Sequence, residues 1–317
     1  MTSRSYTIVG VGGVGGYYGA RLARAGHPVR WVARSDAAHL ARHGLEVVSP
    51  RGDVTLTGLE VYGPGEAAPA SDVVVLATKA NDNAAMAVEL ARHLGPDSVV
   101  VVLQNGLDVE RPVAAALPDH TVLGAMSFIC SAKAGPGRVV HLDYERVTVG
   151  AFTDDGRPMG VTDEVAAVVE DLDGAGVPST ALDDLVAGRW RKLCWNVPFN
   201  GLSVVLDAGT DELVGDPTAE ALVRELMTEV VAASVAHGHP VPDGAIDQLV
   251  ADTRAMTPYA PSMKLDYEAG RPLELGPIYG VPLATAASVG AAMPRTAALH
   301  RQLEFLDRRN RAARSGP

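Results

Sequence analysis

Two kinds of hydrophobic pattern divide this chain. In the first half, short uninterrupted apolar runs, VVVLA at 73–77 and VVVVL at 99–103, alternate with segments whose apolar residues recur at helical spacing. Continuous runs suit strands covered on both faces, whereas a half-solvated strand alternates apolar and polar positions. In chain order the pattern predicts a strand at YTIV, a helix over 14–26, a strand at VRWV and a polar stretch at 35–43. Small strands follow between 45 and 61, then the run at 73–77, a helix over 81–94, the run at 99–103, a helix over 108–117 and a strand at TVLGAMSFI. RVVHLD and RVTVGAF read as a hairpin at the far side of the sheet, and DEVAAVVEDLDGAGV as one more helix. Strands and helices alternating in this way imply a parallel, doubly wound sheet.

From about residue 182 the pattern becomes helical throughout. DDLVAGRWRKLCWNVPFNGLSVVL, DPTAEALVRELMTEVVAASVAHG, GPIYGVPLATAASVG and PRTAALHRQLEFLDRRN carry it, with Gly and Pro between them. The expected fold class is therefore α/β: a Rossmann-type doubly wound parallel sheet over 1–181, followed by an all-helical domain over 182–317. The closing RRNRAARSGP reads as a solvated helix end rather than a nucleic-acid arm.

Composition narrows the function classes. With 317 residues, 47% of them hydrophobic and 21% charged, the chain suits two domains, or one large one, and can bury a sizeable core. A net charge of −11 argues against nucleic acid or an anionic membrane as a partner. Cys130 and Cys194 stand far apart without metal-like spacing, so neither a disulfide framework nor a metal site is expected. No apolar run is long enough to span a bilayer, and MTSRSY runs straight into the first strand with no room for a signal peptide. The expectation is a cytoplasmic globular protein.

The first chemistry-bearing motif is VGVGGVGGYYGARLA at 9–23. Gly10, Gly12 and Gly15 fit G-x-G-x-x-G between a strand and a helix, the context that gives this motif meaning. Gly10 allows the tight turn, Gly12 lets a pyrophosphate approach the backbone, and Gly15 permits close helix–strand packing. The helix N-terminus, with Gly13 and Val14, then offers free N–H groups and a favourable dipole. In such folds the residue ending the second strand meets the adenosine ribose, where a carboxylate selects NAD and an arginine accommodates a 2′-phosphate. Here Arg34 stands nineteen residues beyond Gly15, which points to NADP; the other reading is an exposed arginine ahead of a cap at Asp36. Lys79 and Asn105 end the strands at 73–77 and 99–103, so both belong at the carboxyl edge of the sheet, where ligands bind.

GVGGVGGYYGARLA, VAR, ATKA, LQNG, RWRKLCWNVPFNGL and PSMKLDYEAGRPLEL, in this order and spacing, resemble the ketopantoate reductase (2-dehydropantoate 2-reductase) family over nearly the whole chain. The resemblance implies a Rossmann domain and a helical domain with the active site in the cleft between them. It also implies reduction of ketopantoate to D-pantoate with NADPH on the way to pantothenate and coenzyme A. Lys192 then becomes the general acid, with Asn196, Asn200 and Ser262 on the substrate and Glu274 near the lysine and the substrate hydroxyl. Lys79 and Asn105 become contacts to the nicotinamide ribose and the substrate region.

The residues suit that chemistry on their own terms. Lys192, Asn196 and Asn200 fall at i, i+4 and i+8, one face of a helix whose other positions are Trp190, Leu193, Trp195, Val197 and Phe199. Delivering a hydride to a ketone leaves an alkoxide that needs a proton donor, and a lysine in an apolar setting can serve. The competing reading has Lys192 snorkelling outward, the amides capping backbone and Glu274 solvated. Pro198 should kink this helix or leave a carbonyl free. The chain departs from the family pattern at LELGPIYG, where Gly276, Pro277 and Tyr279 alter the wall beside Glu274. That keeps open a second function, reduction of another 2-keto acid or oxidation of a D-2-hydroxy acid; a non-catalytic NADP sensor fits less well, since the polar row is intact. A homodimer is a possible assembly.

Overall fold

A computed structural model describes residues 3–81 and 83–314, the side chains of 313 and 314 excepted. The chain folds into two compact units, one holding residues through Gln104 together with Val109–Leu185, the other holding Asn105–Asp108 and residues from Val186 onward.

The first unit is built from β1 (Tyr6–Val9), α1 (Gly13–Arg24), β2 (Val29–Val32), α2 (Ala37–His43), β3 (Leu45–Val48), β4 (Val54–Leu56), β5 (Glu60–Tyr62) and β6 (Ser71–Leu76). It continues with α3 (Asn83–Leu90), β7 (Leu94–Leu103), α4 (Arg111–Ala116), β8 (Val122–Gly135), β9 (Arg138–Ala151), α5 (Asp163–Gly174) and β10 (Ser179–Leu182). The strands form one sheet in the order β4-β3-β9-β8-β7-β6-β1-β2-β5, with β10 paired to β9. From β5 through β8 every pairing is parallel; β8 and β9 pair antiparallel. The apolar runs divide their residues between the two faces: Val73, Val75, Val101 and Leu103 join one core, Val74, Leu76, Val100 and Val102 the other. Alternating Cβ directions in a strand covered on both sides require this split.

The expected hairpin of RVVHLD with RVTVGAF does not form. Both lie in the single strand β9, which pairs antiparallel with β8. The reversal occurs instead at Gly135-Pro136-Gly137, where Gly137 takes φ +61°. The interruption at Tyr144 (φ +54°) is a bulge that shifts the register opposite Cys130. A bulge and a turn leave similar polar traces in sequence, and only the Pro-Gly pair supplies turn chemistry. The polar stretch at 35–43 contains the short helix α2, which fully buries only Leu40 and so carries little apolar signal.

The second unit comprises α6 (Leu185–Val205), α7 (Thr210–Gly215), α8 (Pro217–Ala236), α9 (Ala245–Ala255) and α10 (Ser262–Glu268), then a π-helical turn (Gly276–Gly280), α11 (Val281–Ser288) and α12 (Pro294–Arg314). α6 forms its centre, with Trp190, Leu193, Cys194, Val197 and Phe199 fully buried. Burial pushes the Cys194 thiol up to about 12, leaving it an inert core group. α8 fixes the start of α12 through Glu229, which accepts from Arg295 N (2.9 Å), Thr296 N (2.9 Å) and Thr296 Oγ1 (2.9 Å). Of the RRNRAARSGP tail, the part through Arg314 continues α12 and 315–317 lie outside the described residues. Among the described residues, no helix is long and apolar enough to cross a membrane.

Removing the Glu229 carboxylate strands the amides that begin α12. Glu229→Ala should lower stability by about 1–3 kcal/mol, the cost of unsatisfied buried polar groups, read as a lower urea midpoint with an unchanged slope.

Candidate functional site

The glycine loop between β1 and α1 divides its conformational tasks as the motif requires. Gly10 takes φ +104°, and a Cβ there would lie 2.9 Å from both the Ala77 carbonyl carbon and Thr78 Cγ2. At Gly15 a Cβ would meet Gly10 O at 2.2 Å and Ala77 Cβ at 2.8 Å, so α1 approaches the sheet as closely as backbone allows. A Cβ on Gly12 would meet nothing within 4 Å. The loop is thus packed behind and open at Gly12. Gly12 caps α1 without a side-chain bond, and no acidic residue occupies the first turn. Amides at a helix start without a side-chain cap or a nearby anion fit a pyrophosphate. Gly13 marks the limit of the open space: its Cβ would fall 2.7 Å from Ser131 O, and Ser131 Oγ donates to Gly13 O at 3.0 Å. Val14, the next residue of the turn, is partly buried.

Beyond β2, Arg34 is exposed and makes no ion pair among the described residues. Asp36 holds the N-cap position of α2 but makes no capping bond. Its carboxylate is 2.5 Å from Lys133 Nζ and accepts from Gly137 N (3.2 Å) and from the Ser35 hydroxyl (3.0 Å). Burial raises the Asp36 pKa, and these three donors outweigh it, holding the carboxyl below its ordinary value. The nearest acid to Arg34 is therefore committed elsewhere.

At the carboxyl ends of β6 and β7 an amide pair ties two loops together. Gln104 Nε2 donates to Thr78 O (3.0 Å) and Asn83 Oδ1 (3.0 Å), while Asn83 Nδ2 donates to Gln104 Oε1 (2.8 Å) and Val109 O (2.7 Å). Lys79, next to Thr78, is exposed. Asn105, next to Gln104, belongs to the other unit: Leu107 N donates to Pro277 O at 3.0 Å, and Gly106 (φ +116°) sits so close that a Cβ would lie 2.4 Å from Pro277 Cβ.

In the helical unit the polar row of α6 is buried rather than surface-facing: Lys192 is 9% exposed, Asn196 2% and Asn200 1%. Lys192 Nζ lies 5.5 Å from the centre of the Trp195 ring. Asn196 Nδ2 donates to Asn105 Oδ1 at 3.4 Å, and Asn200 Oδ1 lies 3.5 Å from Met263 N at the start of α10. This brings Asn105, Asn196, Asn200 and the first turn of α10, with Ser262, around one face of α6. Glu274, 4% exposed, precedes the π-helical turn whose Pro277 holds the 105–108 segment. Asp266 braces the same region, accepting from Arg271 Nε at 2.8 Å across the Gly-Arg-Pro turn. Among the described residues, Ser262 Oγ, Asn196 Oδ1 and the amide nitrogens of Asn105 and Asn200 make no further hydrogen bond within the protein.

Tyr279 does not line a wall beside Glu274. It is fully buried, its hydroxyl donates to Val197 O at 2.9 Å, and its ring stacks on His300. α6 runs through Pro198 unbroken, and Tyr279 reaches its backbone at that turn because Gly201 leaves the room: a Cβ there would be 2.5 Å from the tyrosine oxygen.

Comparison with known proteins identifies the family. The family model for Ketopantoate reductase PanE/ApbA matches residues 6–154, and that for Ketopantoate reductase PanE/ApbA C terminal matches 184–307. The chain belongs to the ketopantoate reductase family. A 2-dehydropantoate 2-reductase of Nostoc sp. is 43% identical over 311 residues, covering 98% of each chain. The crystal structure of a 2-dehydropantoate 2-reductase from Geobacter metallireducens superposes with a TM-score of 0.88 at 37% identity, over 95% of this chain and 99% of that one. One from Methylococcus capsulatus gives 0.87 at 31% identity, over 99% and 100%. The family is one of oxidoreductases, and this member carries its fold from end to end. Gln104, Asn83 and Lys133 escape a reading by spacing, since each acts through a partner distant in sequence; only the position of Gln104 beside Asn105 hints at its role.

The two glycines of the loop predict opposite phenotypes. Gly15→Ala should cost about 1–3 kcal/mol by overpacking, seen in chemical denaturation. Gly12→Ala should leave stability within about 0.5 kcal/mol yet weaken dinucleotide binding in a fluorescence titration.

Proposed function

We propose that this chain reduces 2-dehydropantoate (ketopantoate) to D-pantoate with NADPH, a step toward pantothenate and coenzyme A. The observation that carries the reading is the buried row of Lys192, Asn196 and Asn200 on an otherwise apolar helix, in a member of this family. Gly10, Gly12, Gly13, Val14 and Gly15 would hold the pyrophosphate of the dinucleotide, Arg34 its 2′-phosphate, and Lys79 with Asn105 its nicotinamide ribose. When bound, NADPH supplies the hydride that the keto carbon takes up. The carbonyl oxygen then requires one proton, which Lys192 donates from its ammonium; the amine left behind recovers a proton from solvent. Before transfer the same ammonium stabilises the charge growing on that oxygen, an interaction made stronger by burial.

Asn196, Asn200 and Ser262 hold the remaining oxygens of the 2-keto acid. Their open donors and acceptors support this assignment, because a ligand that failed to pair with them would leave buried polar groups unsatisfied. Glu274 orients the lysine and the substrate hydroxyl. Arg34 supports NADPH over NADH, since the acid near it is already neutralised by Lys133. The protein reads as a soluble, cytoplasmic enzyme of small-molecule metabolism.

Lys192→Ala should lower turnover by roughly two to four orders of magnitude, the range for a positioned acid, with NADPH binding retained; near wild-type turnover removes Lys192 from the mechanism. Arg34→Ala should weaken NADPH far more than NADH, and equal losses on both would sink its role at the 2′-phosphate. NADPH oxidation with ketopantoate beside other 2-keto acids tests the substrate: a faster rival moves the enzyme to that acid.

A further inference from the structure

The ion pair between Asp36 and Lys133 stands where cofactor choice is made. Sequence places Asp36 two residues past Arg34, in the neighbourhood where NAD-dependent enzymes of this fold keep a carboxylate for the ribose 2′-hydroxyl. Lys133 arrives from β8, and β8 is itself seated on the glycine loop. Ser131 Oγ donates to Gly13 O at 3.0 Å, and a Cβ on Gly13 would fall 2.9 Å from Ala132 Cα. The very next residue is Lys133, whose Nζ lies 2.5 Å from Asp36 Oδ2. The same carboxylate oxygen accepts from Gly137 N at 3.2 Å, within the β8–β9 turn. One short stretch of chain therefore touches the phosphate loop and neutralises the acid next to Arg34.

We propose that Lys133 is a specificity-determining positioning residue: by pinning Asp36 it keeps a carboxylate away from the 2′-phosphate and leaves Arg34 unopposed. This rests on the reading of Arg34 as the 2′-phosphate contact. Left unpaired, Asp36 would act in two ways that favour the other dinucleotide. Its charge would repel a 2′-phosphate dianion, and its oxygens would be free to accept from a ribose 2′-hydroxyl. The pair is half shielded, with side-chain exposures of 34% for Lys133 and 8% for Asp36, so it works at the rim of the binding region rather than in the core. Its effect is on discrimination rather than on turnover.

The test titrates NADPH and NADH separately against wild type, K133M, D36N and the double variant, by nicotinamide fluorescence, with thermal melts alongside. K133M should lower the NADPH-to-NADH affinity ratio by roughly tenfold, about 1.4 kcal/mol. K133R should keep the wild-type ratio. D36N alone should hold the ratio at or above wild type, and D36N added to K133M should restore it. An unchanged ratio in K133M overturns the proposal. So does failure of D36N to rescue K133M, which would make Lys133 a direct phosphate contact. If K133M melts below the assay temperature, D36N alone decides, since a fall in NADPH preference there contradicts the proposal. Wild type binding NADPH no more tightly than NADH overturns the underlying NADP reading instead, and that outcome is visible before any variant is made.

Discussion

A lysine and two asparagines buried along one face of an apolar helix form the constraint on which the helical unit is organised. Each unsatisfied buried amide costs about 1–3 kcal/mol, so the row on α6 can persist only if other segments come to meet it. They do. Asn105 pairs with Asn196, and the first turn of α10 offers Met263 N to Asn200. The π-helical turn anchors the 105–108 segment through Pro277, and Tyr279 from the same turn reaches the helix backbone beside Pro198. Segments remote in sequence are thereby gathered at one helix face.

The sheet unit answers a different demand, close approach of backbone to backbone. Gly15 lets α1 lie against β1 and β6, and this closeness brings the start of the helix to the end of the sheet. The apolar runs in β6 and β7 supply the rigidity: with residues of both parities buried, these strands are clamped from two sides. β1, which leads into the glycine loop, pairs along its whole length with β6 and shares that support.

This division explains what could be read from the chain and what could not. Period and continuity made the sheet, the glycine loop and the long helices legible, because each is a local consequence of side-chain direction. The row at i, i+4, i+8 was legible for the same reason. What escaped reading depends on partners far away in sequence. Tyr279 looks like part of a wall until its hydroxyl is seen on Val197, and Asp36 looks like a helix cap until Lys133 is seen beside it. The β9 bulge resembled a turn because a local interruption says nothing about which neighbour continues past it. Gln104 and Asn83 form a reciprocal amide pair across twenty-one residues, a separation no periodic pattern reports.

Asn105 occupies a position of particular mechanical interest. In sequence it stands two residues past the end of β7, after Gln104, while its side chain meets α6 and its loop is held by Pro277. Gly106 makes this possible, since no side chain fits between it and Pro277 and few residues other than glycine accept φ +116°. With its side chain on Asn196 and its loop on Pro277, Asn105 is fastened twice within the helical unit, so its place beside α6 is fixed by backbone as well as by rotamer.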